Sequence, residues 1–194
     1  GGTIYGDPDP VELPLRETHP QRPVSPYGVA KKAVGDYLAV YRQLHDLEYT
    51  ALALANIYGP RQNAHGEAGV VAIFAERMLT GQPCTIFGDG AKTRDYTFVD
   101  DTVDAFARAG DRADGLLLNI GTGTETADRD LYATVARAAG VGEAPVHAPD
   151  RPGDLRRSCL DPSRAGVHLG WRPWTSVEAG VAATVEWFRG RARA

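Results

Sequence analysis

The chain has 194 residues, 43% of them hydrophobic, enough for one compact domain or one and a part, and its net charge of −4 with pI ≈ 5.7 argues against a nucleic-acid surface. No stretch approaches the ~20 apolar residues of a membrane span and no charged-then-apolar leader opens the chain, so a soluble, cytoplasmic protein is expected with no membrane partner. Cys84 and Cys159 show neither Cys-x-x-Cys nor Cys/His spacing, so no metal site is expected.

The opening Gly-Gly-Thr-Ile-Tyr-Gly reads as the end of a buried strand over Thr3 to Tyr5, as though the fold were entered midway. Residues 7 to 25, rich in Pro, Asp and Glu, read as a loop lying over a site. Ser25 suits a helix cap and Pro26 the first helical position, so a helix is expected from Pro26 to Leu44. Its apolar spacing predicts a buried stripe of Ala30, Ala33, Tyr37, Val40, Tyr41 and Leu44. Tyr49 to Ile57 has the length and composition of a buried parallel strand and stops at Tyr58-Gly59-Pro60, which completes a βαβ unit.

Beyond Pro60 a second lobe is expected. The pattern predicts a helix over Val70 to Leu79, a strand Thr85 to Phe87, the segment Thr93 to Asp101, a helix Val103 to Ala109 and a strand Leu116 to Ile120 ending in Gly121-Thr122-Gly123. A helix Asp128 to Ala139, a short strand near Val146, a turn at Arg151-Pro152-Gly153-Asp154 and a final helix Val177 to Arg189 complete it. No Gly-x-Gly-x-x-Gly opens a strand-to-helix turn, so the usual dinucleotide pyrophosphate cradle is missing from these residues.

Within the first helix, Tyr27 and Lys31 stand four residues apart and share a face. A free phenol titrates near ~10, and bringing it to neutral pH takes roughly 4 kcal/mol, which a close ammonium and the positive end of a helix can supply. The chemistry implied is proton removal from an alcohol.

Several short motifs set these elements in a recognisable order: Gly2-Thr3-Ile4-Tyr5-Gly6, Ser25 to Lys31, Asn56 to Gln62, Phe87 to Gly90, Thr93 to Tyr96, Val99 to Asp101, Asn119 to Gly123 and Arg151 to Asp154. From end to end the chain resembles the C-terminal part of the extended short-chain dehydrogenases/reductases, in particular the NAD-dependent nucleotide-sugar epimerases and dehydratases, and is most similar to the UDP-glucose 4-epimerases among them. The resemblance implies an α/β fold: residues 1–62 as the remnant of a Rossmann-type parallel sheet, and residues 63–194 as mainly a smaller substrate-binding lobe, with some segments returning to the first sheet. What the resemblance leaves out is a nucleotide-binding half, at about the scale of one βαβαβ unit.

Enzymes of this kind oxidise C4 of the sugar with bound NAD while a tyrosinate takes the hydroxyl proton, then reduce the 4-keto sugar on its other face. The resemblance makes Tyr27 the base and Lys31 its activator, both also holding the nicotinamide ribose. It places a Ser or Thr just before the Tyr-Gly of the first motif. That position falls here on Gly1, which leaves Thr3 as the nearest hydroxyl. Asn56, Arg94, Arg151 and Asp154 are implied to bind a UDP-hexose, with arginine's planar fork suited to the diphosphate.

The dehydratases of the family carry an Asp-Glu pair where this chain has Gly2 and Thr3, so 4-epimerisation of UDP-glucose and UDP-galactose is expected, with UDP-glucuronate decarboxylation or dehydration as alternatives. A non-catalytic UDP-sugar-binding remnant is a further alternative. Homodimerisation through the Tyr27 helix is expected by the same resemblance, and little activity or solubility is expected of these 194 residues by themselves.

Overall fold

A computed structural model describes residues 2–65, 69–112, 115–151 and 153–192. In chain order the elements are α1 (Gly2–Tyr5), α2 (Pro26–His45), β1 (Thr50–Leu54), β2 (Asn56–Tyr58), α3 (Val70–Leu79), β3 (Thr85–Phe87), β4 (Thr93–Arg94), β5 (Tyr96–Phe98), α4 (Val99–Gly110), β6 (Leu116–Ile120), β7 (Thr126–Ala127), α5 (Asp128–Ala139), β8 (Val146–Ala148), α6 (Ser163–Leu169) and α7 (Val177–Ala192).

The strands pair two by two. β1 with β6, β2 with β5 and β3 with β8 are parallel, and β4 with β7 is antiparallel. Parallel pairing needs crossovers, and the helices between the paired strands provide them, giving an α/β fold. The expected strand over Tyr49 to Ile57 is in fact two: the ladder of β1 with β6 ends at Leu54↔Ile120, Ala55 N donates to Ile120 O at 2.8 Å, and Asn56 N then donates to Asp95 O at 2.9 Å. The chain thus changes partner at Ala55–Asn56, and Asn56 sits at the fork.

Three apolar clusters hold the fold. The largest packs α3, α5 and α7 around Tyr58, Phe74, Leu131, Val135, Val181 and Val185. A second lies between the β1/β6 pair and helices α4 and α6, centred on Leu118, Ile120, Leu169 and the fully buried Trp171. The third joins Ile4 and Tyr5 to Leu15, Ala53 and Leu160.

Three further expectations are corrected. Residues 3–5 form the helical turn α1 and not a strand end; Gly6, at φ +80, closes the turn, and it aims the Tyr5 hydroxyl at Asn119 Oδ1, 2.7 Å away. The α2 stripe is not buried: Tyr37 is 68% exposed and Leu44 67%, with Val40 and Tyr41 also open, and Gly28 is the buried residue of that helix. Periodicity reports that a face is apolar and says nothing of whether its cover is present. α4 also begins earlier than expected, directly after β5, with Asp100 and Asp101 in its first turn where the helix dipole favours them. The buried Asp101 carboxylate accepts from Trp174 N and Thr175 N, both at 3.1 Å, and from Thr175 Oγ1, tying α4 to the segment before α7.

Candidate active site

Ser25 caps α2 through its Oγ, which accepts from Gly28 N at 3.1 Å, and Pro26 follows at the first helical position. This fixes where α2 starts and therefore where Tyr27 and Lys31 point. Lys31 Nζ lies 5.2 Å from the centroid of the Tyr27 ring. Lys32, next to it, is paired with Asp36 at 2.8 Å, whereas Lys31 has no carboxylate partner among the described residues.

Among the described residues, Tyr27 lines at least two cavities. One, of about 370 Å³, is bounded by Thr3 and Gly2 of α1, by Asn56 and Tyr58 of β2, by Gln62, by Arg94 and Tyr96, and by Leu155 and Ser158. Another is a trough of about 700 Å³ between α2 and β1, with Tyr27, Lys31, Val34 and Leu38 on the helix side and Ala51 to Ala55 on the other. The structure therefore brings Thr3, Tyr27, Asn56 and Arg94 around one space, and Lys31 beside Tyr27 on the trough side. Arg151 and Asp154 are not in the lining of the smaller cavity. Gly1 and Pro152 lie outside the described residues.

The state of each polar group matters for what the cavity can do. Thr3 Oγ1 is buried without a hydrogen-bond partner among the described residues, an unfavourable condition. Arg94 donates from Nη1 to Thr93 O at 2.8 Å and forms no ion pair among the described residues. Its acidic neighbours are engaged elsewhere. Asp89 pairs with Arg156 at 3.0 Å, and buried Asp95 accepts from Thr122 N and Oγ1, Gly123 N and Leu160 N. Burial pushes the Asp95 carboxyl above its usual range, with those donors pulling the other way. Burial likewise pushes Asp128 up, against the pull of Arg94 and Lys92.

Arg151 lays its guanidinium 3.7 Å from the Phe87 ring centroid, and Asp154 Oδ2 lies 3.1 Å from Lys92 Nζ. Three lining groups were not singled out from the sequence. Gln62 donates from Nε2 to Ile57 O at 3.1 Å and leaves Oε1 buried without a partner. Ser158 places its hydroxyl against Gly2, where any side chain would collide with it. Tyr96 is buried, and burial holds its phenol well above the usual tyrosine range. Gln62 and Tyr96 stand within motifs already quoted, whereas Ser158 follows the last motif and carries no pattern of its own. Among the described residues no group of His, Cys, Asp and Glu could hold a metal ion, and no helix is long and apolar enough to cross a membrane.

Comparison with known proteins gives this arrangement a family. A model described as GDP-mannose 4,6 dehydratase matches residues 2–184. The chain is 51% identical over 194 residues to UDP-glucose 4-epimerase of Mycolicibacterium smegmatis, covering 100% of this chain and 61% of the relative. It is also similar to the crystal structure of UDP-glucose 4-epimerase from Thermotoga maritima with UDP-glucose, at TM-score 0.96 and 46% identity over 99% of this chain and 62% of that one. The Thermus thermophilus UDP-glucose 4-epimerase in complex with NAD matches at TM-score 0.89 and 45% identity, over 97% and 61% of the two chains. The chain thus spans about three-fifths of the length of these relatives. With the match running from residue 2 to residue 184 and a relative 51% identical over 194 residues, the chain belongs to the NAD-dependent nucleotide-sugar epimerase/dehydratase family of extended short-chain dehydrogenases/reductases.

Proposed function

We propose that these residues are the catalytic and sugar-nucleotide-binding part of an NAD-dependent UDP-sugar 4-epimerase interconverting UDP-glucose and UDP-galactose, working joined to a nucleotide-binding half. In this reading residues 1–62 complete the cofactor domain and residues 63–194 mainly hold the substrate. The observation that carries it is the place of Tyr27, which lines both the polar cavity and the trough, with Thr3, Asn56 and Arg94 lining the same cavity.

The helix face of Tyr27 and Lys31 fits the ribose side of NAD: an ammonium without a carboxylate partner among the described residues stands beside a phenol, and both line the trough. When bound, NAD supplies reversible oxidation of a secondary alcohol. The chain's own residues do the rest. Tyr27 takes the C4 hydroxyl proton and returns it, with the Lys31 ammonium 5.2 Å from the centre of its ring. Thr3 donates its otherwise orphaned hydrogen bond to the reacting oxygen, and Arg94 offers its spare donors to the diphosphate. Asn56, at the fork between β1 and β2, orients the sugar, and Arg151 and Asp154 serve the nucleotide end.

Epimerisation is favoured over dehydration or decarboxylation because no carboxylate lines the polar cavity among the described residues. A second acid or base for those reactions has no obvious source there. Homodimerisation through α2 is supported by its two apolar faces: Tyr27, Val34 and Leu38 turn to the trough, while Tyr37, Tyr41 and Leu44 face outward. A cytoplasmic location agrees with the nucleotide-sugar substrate.

The test is Tyr27→Phe in the full-length protein, which keeps the ring and removes the base. Epimerisation falls by about 10² or more with UDP-sugar binding largely kept. Turnover equal to wild type would show that Tyr27 only packs.

A further inference from the structure

Lys92 is the one lysine outside α2, and its side chain is 6% exposed. An ammonium so placed is unfavourable unless matched by opposite charge and hydrogen bonds. Two carboxylates match it: Asp150 Oδ1 at 2.8 Å and Asp154 Oδ2 at 3.1 Å. Burial pulls the Lys92 pKa down, and the hydrogen bonds and charges of these two acids more than offset that, so the group stays charged at neutral pH.

The two acids flank Arg151 in sequence, and Arg151 is the residue stacked on Phe87. Asp150 also presses on Gly88, where a Cβ would come within 2.9 Å of its Cγ. Downstream the same segment runs beside β4: Thr93 N donates to Arg156 O at 3.1 Å, and Ser158 N donates to Thr93 O at 3.2 Å. Leu155 and Ser158 then line the polar cavity together with Arg94. Lys92 and Arg94 stand two residues apart. Arg94 forms no ion pair among the described residues, whereas Lys92 is engaged with both carboxylates.

We propose that Lys92 is the positioning residue for the nucleotide end of the cavity: by clamping Asp150 and Asp154 it fixes Arg151 against Phe87 and sets the wall formed by Leu155 and Ser158, where a nucleoside diphosphate is gripped. This rests on the sugar-nucleotide reading above. Without the ammonium, two neighbouring carboxylates repel and the turn opens. Tyr27 and Thr3, on α2 and α1, are left in place.

In the full-length protein Lys92→Met is therefore expected to weaken UDP binding, measured by calorimetry, at least tenfold and to raise KM for UDP-glucose to match, with kcat within twofold of wild type. Asp150→Asn loosens the same clamp while Asp154 still matches the ammonium, so it serves if Lys92→Met does not fold. A purely structural lysine predicts that Asp150→Asn keeps wild-type UDP affinity, whereas a positioning lysine predicts that its binding weakens as well. Wild-type UDP affinity in either folded variant, or a fall in kcat as large as the fall in affinity, overturns the proposal. UDP affinity is read without turnover. A full-length protein that binds UDP and leaves UDP-glucose unchanged would refute the functional reading alone, and the Lys92 comparison would still decide this one.

Discussion

Gly28 and Thr3 meet backbone to backbone: a Cβ on Gly28 would lie 2.6 Å from the Thr3 carbonyl oxygen and 2.9 Å from Pro23 Cβ. This contact brings α2 down onto α1, and with it Tyr27 to within reach of the cavity that Thr3 lines. Gly28→Ala cannot be absorbed by a flexible side chain, since the obstacle is main chain. The substitution is expected to lift the start of α2, cost about 1–3 kcal/mol by overpacking, and lower epimerisation more than it lowers UDP binding. Thermal unfolding and steady-state kinetics of the full-length variant check both parts, and a variant as stable and active as wild type would contradict the contact.

Asp95 joins β5 to two later segments through Thr122, Gly123 and Leu160. Asp95→Asn keeps the shape, and with its amide oxygen at the Oδ2 position for Gly123 N and Leu160 N its NH₂ falls at the Oδ1 position, against Thr122 N. A loss of about 1–3 kcal/mol in unfolding free energy is expected, from a buried donor set against another donor. Denaturant titration reads it directly, and a change below about 1 kcal/mol would mean the carboxylate carries little of the junction.

Arg157 donates from Nε to Glu125 Oε1 at 2.8 Å and from Nη2 to Oε2, which holds the Glu125 carboxyl below its ordinary pKa. A depressed folded pKa contributes stability that is complete above the unfolded value, about 4.3, and is lost as pH falls through the folded one. The stability difference between wild type and Glu125→Gln is therefore expected to shrink between pH 6 and pH 3, on the order of that window. Buried Asp95 and half-buried Asp128 have pKa values shifted the other way, so the difference between the two proteins is the informative quantity. A difference constant across that range would show that the Glu125–Arg157 pair adds nothing.

Tyr37 and Tyr41 stand 68% and 51% exposed on the outward face of α2. Large apolar groups left open along one helix face are expected to be covered by a partner. Tyr37→Glu/Tyr41→Glu in the full-length protein is expected to shift it from dimer to monomer by light scattering, with UDP binding kept. A dimer of unchanged strength would remove α2 from the interface.

Most elements were legible in the sequence, and the misses have physical causes. α3, β3, β6 and α5 lie where periodicity placed them, because each carries a strong apolar pattern bounded by Gly, Pro or a charged first turn. The turn α1 read as a strand because Thr, Ile and Tyr favour strands locally, whereas the tertiary pull of Asn119 on Tyr5 favours a helical turn. The split of β1 from β2 at Ala55 left no local mark, since it depends on which distant strand each half meets. In the site, Tyr27, Thr3, Asn56 and Arg94 were nominated by motif order, and the cavity gathers all four. Ser158 and the clamp of Lys92 on Asp150 and Asp154 were illegible because they join segments some sixty residues apart.

The most direct measurement is product identity: full-length protein incubated with UDP-glucose, and the sugar nucleotides separated and identified by NMR. A mixture of UDP-glucose and UDP-galactose is expected, reached from either side. Unchanged UDP-glucose, or conversion to a 4-keto-6-deoxy sugar nucleotide, would contradict it.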